Sequence, residues 1–140
     1  MQVIDATGLI LGRMATEVAK RALMGQKIAI INCEKALISG SRNNILEHYK
    51  TKVSRGDTFK GPFIHRMPDR FVRRTIRGML SYKKEKGEKA FKRIMCYIGV
   101  PEELKDKEFQ TIKNASNERL SSEKYMKVSE LTKILGAREW

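Results

Sequence analysis

A dense cluster of basic side chains between residues 60 and 93 is the strongest chemical signal in the sequence. This stretch holds twelve lysines and arginines against three acidic residues, a net charge of +9, whereas the other 106 residues contribute only +4 of the total +13. Because like charges at this density repel one another, they destabilise a folded surface unless something anionic neutralises them. The cluster therefore predicts a binding surface for a polyanion.

The arginines of this cluster recur with the period of an α-helix. On a helix over residues 70–80, four of them form a single stripe, namely Arg70, Arg73, Arg74 and Arg77. The apolar residues of the same helix fall on the opposite side. Since the planar guanidinium group can bind two phosphate oxygens at once, an arginine stripe favours a phosphate-bearing ligand.

A lysine-rich turn and a second amphipathic helix follow the arginine stripe. The turn contains Lys83, Lys84 and Lys86, with Tyr82 as a candidate surface for stacking. On the helix near residues 88–93, the basic face is formed by Lys89, Lys92 and Arg93. Few acidic residues stand at offsets that would compensate the four arginines of the stripe. Basic residues elsewhere are secondary candidates for phosphate contacts: Lys60, Arg66, Arg13 and Arg42.

The type of polyanion follows from what accompanies the charge. A membrane-surface helix would border its basic face with Trp, Phe or Leu, but the apolar face here is small and mixed. A duplex DNA reader would be expected to show a helix-turn-helix or zinc module, and neither is visible. Structured RNA requires only a fixed basic surface and loops, so it is the best of the three. We then expect that removing Arg73 and Arg77 together weakens RNA binding and leaves folding nearly intact.

The elements that must position these residues indicate an α/β fold. Apolar and β-branched runs predict strands at 2–5, 27–32, 36–39 and 94–100, and helical periodicity predicts intervening helices. We expect a single domain over 1–140, with a three-layer core (1–100) in which a central, mainly parallel four-stranded sheet is flanked by helices. The remainder, 101–140, is predicted to be an extended C-terminal arm and a short helix. Ser41, Asp69 and Ser129 are the expected N-caps of three helices.

Other kinds of site find little support. The segment Gly8–Arg13 follows a strand and opens a helix, yet its glycine spacing fits neither nucleotide-binding motif, so a tight turn is the simpler interpretation. His48 and His65 stand without a catalytic pattern, and Cys33 and Cys96 without metal-ligand spacing, which predicts buried reduced thiols. We expect an intracellular protein that is no enzyme and needs no metal, cofactor, small-molecule substrate or membrane.

Several segments resemble the ribosomal protein L13 family of the large subunit. They are VIDATGLILGRMATEVAK (3–20), IINCEKALISG (30–40) and RTIRGMLSYKKEKGEKAFKRIMCYIGVP (74–101). The segments FKGPFIHRMPDRF (59–71) and ILGAREW (134–140) resemble the archaeal branch. The resemblance implies a parallel α/β fold, binding of large-subunit ribosomal RNA next to neighbouring ribosomal proteins in the cytoplasm, early participation in subunit assembly, and no catalysis. A regulatory RNA-binding protein acting away from the ribosome is the alternative.

Overall fold

The computed structural model describes all residues from Met1 to Trp140. In chain order its strands and α-helices are β1 (Gln2–Asp5), α1 (Leu11–Leu23), β2 (Ile28–Ile31), β3 (Leu37–Ser39), α2 (Arg42–Ser54), α3 (Pro68–Gly78), α4 (Glu85–Lys92), β4 (Ile94–Cys96), β5 (Phe109–Gln110), β6 (Tyr125–Lys127) and α5 (Val128–Ile134). None of these helices is long and apolar enough to cross a lipid bilayer.

The central sheet has four parallel strands in the order β4-β2-β1-β5, flanked by helices, so the predicted α/β class is confirmed. The membership of the sheet differs in one place. The strand expected at 36–39 forms as β3, but it pairs antiparallel with β6 in a separate two-stranded sheet. The fourth place is taken by β5, a two-residue strand beside Val3 and Ile4 of β1.

The helices cover mainly one face of this sheet. Side chains alternate between faces along each strand, so Ile4, Ile28 and Ile30 enter a large core of 27 buried residues. Helix α1 contributes a continuous apolar stripe to that core, including Met14 and Val18, which are fully buried. Helices α2, α3, α4 and α5 all contribute side chains to the same core.

The opposite face of the sheet is covered by a much thinner layer. Val3, Ala29 and Ile31 pack there with Leu104, which lies on a one-turn 3-10 helix after Pro101. These four residues form the whole second core. The three layers are therefore unequal: helices form one outer layer, and an irregular segment forms the other.

The segment predicted as an arm is attached to the body at several points. Besides contributing β5, it buries Ile112 and Ala115 in the large core. The Ile10 amide donates to the Ala115 carbonyl at 2.7 Å, and the Asn117 amide donates to the Gly8 carbonyl at 3.1 Å. The arm therefore follows the edge of the fold and is held there by backbone hydrogen bonds.

Helices α3 and α5 do not begin where the predicted N-caps, Asp69 and Ser129, would place them. Helix α3 begins at Pro68, preceded by Met67, so Asp69 lies inside the first turn. Proline suits this position because its fixed φ matches the helix and its missing N–H would have no partner there. Helix α5 likewise begins one residue before Ser129. Ser41 does precede α2, yet its side chain forms no capping hydrogen bond.

Candidate nucleic-acid interface

The basic stretch folds into two successive helices, α3 and α4, joined by the turn at 79–84. Its apolar side fixes it to the body: Val72 and Ile76 are fully buried under α3, and Ala90 is fully buried under α4. Helix α3 packs against α1 and β4. Because these anchors occupy the inner faces of both helices, the basic side chains must emerge on the outer surface.

The predicted arginine stripe divides into two pairs. Arg70 and Arg74 are exposed and form no ion pair, as expected for residues available to a ligand. Arg73 and Arg77 are half-buried and contact the protein itself. The Arg73 Nε atom donates to the Ile94 carbonyl at 3.1 Å, and its guanidinium carbon lies 4.4 Å from the centre of the Phe91 ring.

Arg77 is held in a similar manner by the turn. Its guanidinium carbon lies 4.3 Å from the centre of the Tyr82 ring. Tyr82, expected to be a stacking surface for the ligand, therefore stacks on an arginine of its own chain. These contacts change the prediction for the double variant: because removal of Arg73 and Arg77 takes away packing and a backbone hydrogen bond, we expect it to lower stability as well as RNA affinity.

All four arginines nevertheless share one surface depression. An open cavity of about 290 Å³ is lined by His65, Arg70, Arg73, Arg74, Arg77 and Phe91. No carboxylate lines it. Cations crowded around a concave surface focus the electrostatic potential there, which favours an anion over the same charges spread on a convex face. The depression has the chemistry of a phosphate-binding surface.

The lysine-rich turn adds three further positive charges that have no internal compensation. Lys83, Lys84 and Lys86 are exposed, and none is within 4.0 Å of a carboxylate oxygen. The turn closes tightly because Gly87, at the start of α4, is buried against the backbone of Ser81. A close approach of two backbones therefore fixes where the three lysines emerge.

The basic face of α4 is partly neutralised by two glutamates of the same helix. Lys89 pairs with Glu85 at 2.5 Å and Lys92 with Glu88 at 2.8 Å, each one turn apart. The hydrogen bond to Lys92 lowers the pKa of Glu88, and the same bond raises the pKa of Lys92. Arg93 faces inward enough to donate from Nη1 to the Ala22 carbonyl at 3.2 Å.

The secondary candidates are dispersed. Lys60 and Arg66 are exposed on the segment that leads into α3, close in sequence to the arginine depression. Arg13 donates to the Arg119 carbonyl at 3.4 Å, and Arg42 pairs with Glu130, so both contact the C-terminal part of the chain. The structure thus brings the arginine stripe into one cavity, with the lysine turn next along the chain, and shows no such grouping for Arg13 and Arg42.

Sequence reasoning missed His65 and Phe91 as lining residues of the depression. His65 comes from the loop before α3, and the alternation of aromatic and basic residues in Phe59–Arg66 was the available signal. Phe91 falls on the side of α4 opposite its basic residues, where helical periodicity indicates only packing. Its ring supports Arg73, a contact between two helices that periodicity within one helix cannot indicate.

The two cysteines are free thiols and both are buried, as predicted. Cys33 follows β2 and Cys96 ends β4, and the side-chain hydrogen bond between the two raises the pKa of Cys33. Burial adds to this increase. Cys33 is therefore a protonated packing group at neutral pH.

Comparison with known proteins shows the family to which the chain belongs. The sequence model of the family described as ribosomal protein L13 matches residues 1–103. Three archaeal proteins named large ribosomal subunit protein uL13 are similar over nearly the whole chain. That of Methanosarcina barkeri is 50% identical over 139 residues, which is 99% of each chain. That of Methanocaldococcus jannaschii is 45% identical over 143 residues, 99% of each chain. That of Archaeoglobus fulgidus is 44% identical over 137 residues, 97% of this chain and 88% of its own. The chain therefore belongs to the ribosomal protein L13 family.

Proposed function

We propose that this protein is a structural constituent of the large ribosomal subunit that binds and organises large-subunit ribosomal RNA from an early stage of assembly. The observation that carries the proposal is the depression in which four arginines meet without a carboxylate. Family membership and the relatives' names, large ribosomal subunit protein uL13, support large-subunit ribosomal RNA as the ligand. The family is structural, so the chain is not an enzyme.

Arg73 and Arg77 are suited to phosphate binding because of their internal contacts. The Nε atom of Arg73 is occupied by the Ile94 carbonyl, while the terminal NH2 groups remain for phosphate oxygens. An arginine already fixed against a ring loses less conformational freedom on binding than a free lysine does. The stripe is therefore a preorganised site, with exposed Arg70 and Arg74 completing its rim.

The lysine turn supplies a second kind of contact. Lys83, Lys84 and Lys86 are flexible point charges that neutralise nearby phosphates without fixing their orientation. Lys89, Lys92 and Arg93 add to the surface after their internal partners rearrange, and Lys60 and Arg66 extend it toward the loop. Arg13 and Arg42 are the weakest candidates. Neighbouring ribosomal proteins are the other partners, and the cytoplasm is the location.

The dependence of affinity on salt tests the electrostatic part of the proposal. The full-length chain is titrated with large-subunit ribosomal RNA purified from Methanosarcina barkeri at several salt concentrations. If eight side chains neutralise phosphates, log K against log salt has a slope of about −6 to −7, from roughly 0.7–0.9 per contact. A slope flatter than about −2 would refute a broad basic interface.

A matched pair of triple variants locates the interface. Changing Lys83, Lys84 and Lys86 to Gln should reduce the slope by about 2 to 3 and leave the melting temperature unchanged, because these side chains have no protein partner. Changing Lys27, Lys107 and Lys113 to Gln removes the same charge from exposed positions elsewhere that also form no ion pair. Equal flattening by both triples would refute a localised site.

Sedimentation tests the location in the ribosome. After a salt wash and gradient centrifugation of a cell lysate, the protein should remain with large subunits and with their early precursors. Protein found only in the light fractions would instead support a regulatory RNA-binding role away from the ribosome. Protein that joins only mature subunits would refute participation in early assembly and would leave the structural role in the large subunit standing.

A further inference from the structure

A second groove lies beside the arginine depression, between α2, the segment 62–65 and α3. It has a volume of about 450 Å³, and six of the residues that line it are aromatic or basic: Tyr49, Lys52, Phe63, His65, Phe71 and Arg74. We propose that this groove holds a single unpaired nucleotide of the ribosomal RNA, with its base stacked on Phe63 and its phosphate bound by Arg74 and Lys52. The inference rests on the proposed function and adds a specific subsite to it.

The floor of the groove is aromatic. Tyr49 and Phe71 pack together with ring centres 5.3 Å apart and planes inclined by 55°. Phe71 is buried and anchors α3, so this floor is part of the folded core. The groove is therefore already formed in the free protein, which lowers the entropy lost when a ligand enters.

Phe63 is the unusual residue of the groove because 72% of it is exposed to solvent. Its ring packs closely against the turn at Gly61. A Cβ atom added to Gly61 would lie only 3.1 Å from the Phe63 Cδ2 atom. A large aromatic ring kept in water, while supported by backbone on one side, is typical of a stacking platform. Every RNA base can stack on such a ring.

The rim of the groove is cationic. Lys52, His65 and Arg74 line it and no acidic residue does. Lys52 places its Nζ atom 5.2 Å from the centre of the Tyr49 ring, and Arg74 has no ion pair. An aromatic floor with a basic rim combines the two features by which proteins bind unstacked nucleotides.

The position of the groove favours RNA over a protein neighbour as its occupant. His65 and Arg74 line both this groove and the arginine depression, so the two cavities adjoin. A strand whose phosphates occupy the depression would place its next nucleotide at the groove. An apolar protein segment would leave Lys52 and Arg74 without compensation there, which is unfavourable when charges are desolvated.

Phe63→Leu is the discriminating variant, because leucine keeps apolar area and loses the aromatic face. Binding of the full-length variant to the same purified ribosomal RNA should weaken by roughly 5- to 150-fold, the range expected for loss of one stacked base. One base that the wild-type chain protects from chemical modification should become reactive. Phe63→Trp should restore both affinity and protection.

Phe59→Leu is the matched control, because Phe59 is 89% exposed on the same loop and does not line the groove. It should bind like the wild type. Thermal melting should be unchanged for both leucine variants, since neither ring is buried.

The groove proposal is overturned if Phe63→Leu binds and protects the RNA like the wild type. If that variant binds normally but fails to enter subunits, the occupant of the groove is a protein, and the proposal is overturned as well. It is also overturned if affinity falls without any base losing protection, or if Phe63→Trp fails to restore binding. These outcomes leave the proposed function standing. A wild-type chain that does not bind the RNA refutes the proposed function itself, and the groove with it.

Discussion

Helices α3 and α4 have a similar density of basic residues, yet they manage the charge in opposite ways. On α3, Arg73 and Arg77 lie over aromatic rings, and no carboxylate neutralises the stripe. On α4, Lys89 and Lys92 each pair with a glutamate one turn earlier. The comparison teaches that a count of positive charges does not identify a binding residue, because the partner of each charge decides what it can do.

The two arrangements differ in strength as well as in kind. An exposed lysine–glutamate pair one turn apart contributes little to stability and is screened by salt, so a phosphate can displace it. An arginine stacked on a ring and bonded to a buried carbonyl is held more firmly. We therefore expect the arginines of α3 to bind phosphate in a fixed position, and the lysines of α4 to bind phosphate after they leave their glutamate partners.

The largest expected effect is at Gly87, whose close contact with the Ser81 backbone fixes the position of α4 relative to α3. Gly87→Ala should lower the free energy of unfolding by about 2–3 kcal/mol, because the added Cβ atom overlaps the Ser81 backbone and neither segment can move without disturbing the core. Urea unfolding measures this change. The outcome would show that the geometry of the turn depends on close packing of the backbone.

Gly12→Ala provides the control for this substitution. Gly12 is also helical, is exposed, and has nothing within 4 Å of an added Cβ atom, so alanine should stabilise the protein by about 0.5–1 kcal/mol. If the two variants proved equally stable, the contact between Gly87 and the Ser81 backbone would not be tight, and it could not fix α4 relative to α3.

The next effect separates the two kinds of arginine within α3. Arg73→Ala should lower the free energy of unfolding by about 2 kcal/mol, since it removes a charge-assisted hydrogen bond and a contact with Phe91. Arg74→Ala should change stability by less than about 0.5 kcal/mol, because its side chain is exposed and unpaired. Chemical denaturation and RNA titration of both variants make the test.

Both arginine variants should bind RNA less tightly, because each removes a charge from the same depression. Equal stability of Arg73→Ala and Arg74→Ala would show that the contacts of Arg73 with Phe91 and Ile94 contribute nothing to folding. The distinction between fixed and free arginines would then have no energetic basis.

Sequence patterns were sufficient for the parts of the fold that depend on local periodicity. The apolar stripe of α1 and the continuous apolar run of β2 follow from residue order alone, and β2 forms within the strand predicted at 27–32. Strand β5 has no such signal, because two exposed residues become a strand only through their pairing with β1. The choice between β3 and β5 for the main sheet is likewise a tertiary effect.

The same limit applies to the candidate site. The stripe itself followed from helical spacing, but its division did not, because Arg73 donates to the Ile94 carbonyl of β4 and lies over the Phe91 ring of α4. The pairs of α4 are different. Glu85 with Lys89 and Glu88 with Lys92 stand at the i,i+4 offset, so the sequence did contain the information that they compensate each other.

The smallest effect tests the neutralised face of α4 through Glu88. Its folded-state pKa is lowered, so its pair with Lys92 contributes stability above the unfolded carboxyl pKa and loses it as pH falls through the folded value. Because the pKa of Lys92 is raised, the same contribution is lost again as pH rises through that folded value. Both groups are fully exposed, so added salt should shrink the effect.

Glu88→Gln should therefore be slightly less stable than the wild type at neutral pH, with the difference disappearing in acid, as followed by thermal melting across pH. In RNA titrations the same variant should steepen the salt slope by less than one unit, because Lys92 becomes available to a phosphate. Glu103→Gln, which removes an exposed carboxylate without an ion pair, controls for net charge. If both variants steepened the slope equally, Lys92 would be no more restrained than the lysines of the turn, and the contrast between α3 and α4 would reduce to total charge.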